Sequence, residues 1–90
     1  MSSAIVLTFD DVQDVLYAKR VSAIVKSSAE APSDSYLILN MASDGSVVGV
    51  QVVDANGIPT EEWKHHPDRS LVPKDILDVV DRWISERKAA

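Results

Sequence analysis

The chain contains no cysteine. That excludes a disulfide framework, a zinc–thiolate site and a cysteine nucleophile, and it fits a reducing cytoplasm, where the protein is expected to reside. Positive charge is scarce: nine Lys and Arg face fourteen Asp and Glu, for a net charge of −5. Nucleic-acid binding depends on neutralising phosphates, so an acidic chain without a basic stripe is poorly equipped for it. A basic protein is the better electrostatic match. No apolar run approaches the ~20 residues that span a bilayer, and MSSAIVLTFDD lacks the basic and apolar regions of a signal peptide, so no membrane role is expected.

Glycine is also sparse, at three residues, all within Ser43 to Gly57, SDGSVVGVQVVDANG. A Walker-type phosphate loop needs lysine and a hydroxyl after its last glycine, but Val50 and Gln51 follow Gly49. A dinucleotide fingerprint opens a helix, whereas Gly45 and Gly49 open a strand-like valine run. Read as a calcium loop, Asp54 to Pro59 has glycine fourth and proline sixth, where glycine is required sixth. The structural assignment is simpler. Gly45 and Gly57 serve turns, and Gly49 marks a bulge or a close neighbour.

The 90 residues, 46% of them hydrophobic, predict one domain over 1–90 with a thin core. Some of that apolar surface is expected to be covered by another chain, as a homodimer or partner complex. Ala4 to Phe9 reads as a strand, and the carboxylates of Asp10, Asp11 and Asp14 read as a turn. Residues 15–25 fit neither period cleanly; a helical turn followed by a strand is the better fit. Residues 26–35, KSSAEAPSDS, read as a loop. Tyr36 to Met41 and Ser46 to Asp54 are strands joined through Asp44-Gly45, a strong hairpin signal. The second is apolar on most of both faces, which predicts a central strand. Thr60 is placed to cap a short helix over Glu61 to His66. Ile76, Leu77, Val80, Trp83 and Ile84 form one face of an amphipathic helix over 73–88, with Arg87 and Lys88 late, as the helix dipole favours. The fold class is therefore α+β, a mostly antiparallel sheet of about four strands covered by that helix.

Few residues suggest chemistry. Glu61 and His65 are four apart and share a helix face, but a zinc site needs three or four protein ligands and no third is specified. Adjacent His65 and His66 would diverge by about 100°. Asp10 and Asp14 suit a hydrated turn better than a paired-carboxylate site. No nucleophile–base pairing is visible, so no catalytic residue, metal or cofactor is assigned. Trp83, at helical spacing, reads as core; Trp63, in the polar EEWKHH segment, reads with Gly49 as an interface residue.

Asp10-x-x-x-Asp14-x-Leu16-Tyr17, followed by Asp44-Gly45-x-Val47-Val48-Gly49-Val50 and Asp54-Ala55, resembles the small bacterial domain of unknown function 2283. The resemblance covers roughly residues 5–17 and 35–55, with Val52 to Ala55 as the closing end of a hairpin. The chain departs from the pattern in its long spacer between Val21 and Ser35 and in everything after Asn56. The resemblance implies a compact β-rich fold without known catalysis, in which Asp10, Asp14 and Tyr17 belong to the pattern. The neighbourhood of such proteins to toxin-like genes implies an antitoxin-like role. The expected function is a non-enzymatic protein-interaction module; the alternative is a small metal-dependent enzyme or ligand-binding protein using Asp10, Asp14 or Glu61 and His65.

Overall fold

The computed structural model describes residues 4–33 and 36–87. Five strands, β1 (Ile5–Asp10), β2 (Val15–Arg20), β3 (Ser27–Glu30), β4 (Leu37–Met41) and β5 (Val47–Val53), form one sheet in the order β1-β2-β5-β4-β3. Every neighbouring pair is antiparallel. A short helix α1 (Thr60–Lys64), a 3-10 turn (Pro67–Leu71) and the long helix α2 (Lys74–Glu86) follow. The α+β class holds, with five strands where four were expected. Among the described residues no helix is long and apolar enough to cross a membrane.

Strand alternation divides the sheet into two faces. Leu16, Ala18, Leu37, Leu39, Val50 and Val52 point towards α2 and are buried, along with Ile76, Val80 and Ile84 of the helix. Burying each such aliphatic side chain contributes roughly 1.5–3 kcal/mol, so this layer is the main source of stability. Arg20 adds a two-pronged ion pair from β2 to α2, its Nε and Nη2 each 3.0 Å from an Asp75 carboxylate oxygen. α2 ends at Glu86, and the Arg87 guanidinium turns back to donate to the Ala55 and Ile58 carbonyls. The late basic charge expected to answer the helix dipole is thus spent pinning the connector; Lys88 lies outside the described residues.

β5 is the central strand, as its two apolar faces implied. Asn40 pairs with Gly49 but Met41 with Val47, so Val48 is an extra residue and β5 carries a bulge. Gly49 is also a close-approach position. A Cβ there would lie 2.9 Å from the Ala18 carbonyl oxygen and 3.1 Å from the Lys19 Cβ. Gly45 occupies the left-handed region at φ 87° in the β4–β5 hairpin.

Three expectations are corrected. Residues 15–25 contain no helical turn after Asp14; β2 begins directly at Val15. Residues 27–30, expected as loop, form β3, whose side chains are all exposed and whose order comes from backbone pairing with β4. Thr60 does not cap α1. It is the first helical residue, after Pro59, and no side chain caps the helix.

Candidate interaction surface

The acidic residues at one end of the sheet are occupied in holding turns. Asp10 Oδ1 accepts hydrogen bonds from the Val12 and Gln13 N–H groups at 3.0 and 3.1 Å, closing the β1–β2 loop. Asp14 and Asp54 both adopt φ 58°, a left-handed conformation that Asp tolerates better than most side chains. The Asp14 carbonyl accepts from the Ala55 N–H at 3.1 Å, and its Oδ1 from the Asn56 N–H at 3.0 Å. Two distant loops are stitched together there. The left-handed residue of the second turn is Asp54, not Gly57.

Glu61 and His65 do face one another at 4.0 Å, but both side chains are more than three-quarters exposed. His66 is buried instead, its Nδ1 accepting from the Asp68 N–H at 3.0 Å. The buried Asp68 carboxylate in turn accepts from the Ser33 N–H and hydroxyl. Among the described residues no group of three or more His, Asp or Glu could hold a metal ion.

Trp63, expected at an interface, is buried within the chain itself. It is 1% exposed, with its Nε1–H donating to Asp81 Oδ1 at 2.7 Å. Arg69 binds the same carboxylate at 2.6 and 3.0 Å and lies over the Trp63 ring, 5.5 Å from its centroid. An indole surrounded by polar neighbours in sequence becomes buried because Asp81 satisfies its N–H. Trp83 is the more exposed of the two, half-buried against Phe9 with ring centroids 4.9 Å apart.

The face of the sheet opposite α2 is covered by no element among the described residues. Val6, Thr8, Tyr17, Lys19, Ile38, Asn40, Gln51 and Val53 lie on it by alternation. Gly49 sits between Lys19 and Asn40, its direct partners in the two flanking strands. Beside it a depression of about 310 Å³ opens, lined by Val6, Thr8, Tyr17, Lys19 and Asn40 over Ala18 and Val50. Lys19 closes one end, its ammonium donating to the Arg20, Val21 and Ala23 carbonyls. Ser28 and Gln51 donate to Asn40 Oδ1 at 2.8 and 3.3 Å. The result is an apolar notch with a satisfied polar margin.

A second concavity, between the acidic turns and α1, is lined by Asp14, Tyr36, Asp54 and Glu62 among others. Among the described residues the buried Tyr36 hydroxyl has no hydrogen-bond partner, and desolvation, with the negative charge of Glu62, raises its pKa above the usual phenol value. Among the described residues nothing there pairs a nucleophile with a base.

No protein-family model matches the chain, and searches of curated proteins and solved structures likewise yield no match.

Proposed function

We propose that this chain is a non-enzymatic protein-interaction module that docks a basic partner on the open sheet face around Gly49 and also associates with itself. The observation that carries the reading is the uncovered notch on a central strand, with Val6 44% exposed beside Tyr17. The net charge of −5 favours encounter with a basic protein. Asp10 and Asp14, the carboxylates of the enzymatic alternative, hold turns. The antitoxin-like form of the reading rests on the resemblance of residues 5–17 and 35–55 to domain 2283.

The test is quantitative co-purification of the tagged chain at native expression, comparing wild type with Tyr17→Lys and Val6→Lys. Each variant puts a positive charge, which a basic partner repels, on the notch without touching the core. A basic protein recovered with wild type and reduced roughly tenfold or more in both variants, at unchanged melting temperature, supports docking there; tenfold is about 1.4 kcal/mol of binding. Undiminished recovery in both variants overturns it. Stoichiometric zinc or manganese that disappears in His65→Ala would decide for the enzymatic alternative.

A further inference from the structure

The two edges of the sheet are built differently. β3 is four residues long, reads Ser-Ser-Ala-Glu, and is flanked by Lys26 and Pro32. Short length, charge and nearby proline are the devices that keep an exposed strand edge from pairing. β1 has none of them. Its six residues, IVLTFD, carry no charge before Asp10, no proline and no bulge against β2. Val6 is 44% and Leu7 37% exposed, although α2 reaches the far end of the strand through Trp83 against Phe9.

The hydrogen-bond phase of β1 shows which backbone groups are open. Val21 N–H donates to the Ala4 carbonyl at 2.9 Å, and the register places Ile5 opposite Arg20. Bonded and non-bonded pairs alternate along an antiparallel ladder. Val6, Thr8 and Asp10 therefore direct their N–H and C=O groups towards β2, and Ile5, Leu7 and Phe9 direct theirs outwards. Those three residues are symmetric about Leu7.

We infer that β1 pairs with β1 of a second copy of this chain, antiparallel, about a two-fold axis through Leu7. This inference gives the self-association proposed above its site and rests on that part of the reading. In this register Leu7 opposes the partner's Leu7 and Ile5 opposes the partner's Phe9. All six outward backbone groups on each strand are then used, and a shift of two residues in either direction wastes some of them. On the α2 side the facing side chains are Ile, Leu and Phe only; on the open side Val6 meets the partner's Thr8. Apolar cross-strand pairs of this kind stabilise a sheet, and like charges placed opposite would oppose it.

Charge selects the occupant. Two copies of a chain with net charge −5 repel, so they meet best where neither brings a charge. The Asp10 carboxylates lie at opposite ends of the paired strands, roughly 20 Å apart and well beyond the ~8 Å screening length at physiological salt. A basic partner would gain nothing electrostatic from this uncharged edge. The product is a continuous ten-stranded sheet.

The test uses the full chain. Light scattering across micromolar to millimolar concentration should show wild type as a dimer. Amide hydrogen exchange should show the N–H groups of Ile5, Leu7 and Phe9 protected along with those of Val6 and Thr8. Leu7→Cys should form a dimer cross-linked through residue 7 under mild oxidation, since paired strands bring Cα atoms within disulfide range and the chain has no other cysteine. Leu7→Lys should halve the mass and free the three outward amides. Should that variant fail to fold, exchange in wild type decides. A wild-type monomer overturns both this pairing and the proposed self-association. A dimer whose Ile5, Leu7 and Phe9 amides exchange freely overturns the pairing alone.

Discussion

Replacing Gly49 by alanine tests the geometry of the notch most directly. The backbone conformation at Gly49 is open to any residue, so the substitution introduces no φ strain; the obstacle is space. The new Cβ would stand 2.9 Å from the Ala18 carbonyl oxygen, 3.1 Å from the Lys19 Cβ and 3.2 Å from the Lys19 Cα. None of these is the free end of a flexible side chain, so β2 and β5 must separate by several tenths of an ångström. Forcing a methyl group into packed structure costs about 1–3 kcal/mol. Against this, alanine restricts the unfolded chain and returns about 0.4–1 kcal/mol. The expected net loss is about 1–2 kcal/mol, a fall of roughly 5–15 °C in melting temperature for a domain of this size.

The other two glycines are controls in the same assay, urea and thermal unfolding at fixed chain concentration so that self-association does not confound the comparison. Gly45→Ala meets no atom within 4 Å but must hold φ 87°, so its loss, about 1 kcal/mol, is pure backbone strain. Gly57→Ala meets only the Asp54 carbonyl oxygen at an ordinary 3.6 Å and needs no positive φ. It should be neutral or gain up to about 1 kcal/mol. The order is therefore Gly57→Ala, wild type, then the other two. An unchanged Gly49→Ala would refute the close approach of β2, and a Gly57→Ala as damaging as Gly49→Ala would refute steric contact as the cause.

Two further outcomes follow from the connector and the helix. Trp63→Ala should cost about 3–5 kcal/mol by urea unfolding and Trp83→Ala clearly less, reversing the order expected from helical spacing, because Trp63 is the fully buried ring. The hydrogen bond from Arg20 holds the Asp75 carboxyl below its ordinary value of 3.8, so the ion pair stabilises the fold above that pH and the contribution is lost as the pH falls through the lowered value. With both side chains about a third exposed the pair is worth about 1 kcal/mol at most, and Asp75→Asn should flatten the acid limb of a stability–pH profile by that amount.

Much of the sheet was legible because its signals are local. Tyr36 to Met41 and Ser46 to Asp54 alternate β-rich residues around an Asp-Gly pair, and the hairpin between them follows from glycine's tolerance of positive φ. The α2 helix declares itself through the spacing of Ile76, Val80 and Ile84. β3 was illegible because nothing in Ser-Ser-Ala-Glu favours a strand; its conformation is imposed by the open edge of β4 across a twelve-residue gap from Ser28 to Asn40. Trp63 was misplaced for a related reason. Its neighbours Glu62 and Lys64 are polar, while the groups that permit its burial, Arg69 and Asp81, lie outside any local window. The Gly49 site was largely legible. Its place in a central strand and a bulge or close neighbour there could be read, while the particular residues, Val48 as the extra one and Ala18 as the neighbour, are set by pairing.

The two proposed surfaces constrain one another. A two-fold axis that joins two antiparallel edges into one sheet runs perpendicular to that sheet, so it maps each face onto itself. Pairing through β1 therefore sets both α2 helices on one side and both Gly49 notches on the other. The chain order β1-β2-β5 puts each notch at the third strand from the axis. With strands about 4.8 Å apart, the two notches lie on the order of 25 Å from each other, counted across five strand spacings. A single basic segment reaching both would bind bivalently, and linking two weak contacts raises overall avidity without improving either one. Self-association through β1 would thus do more than cover the apolar edge: it would turn a shallow notch, weak by itself, into one half of a paired site.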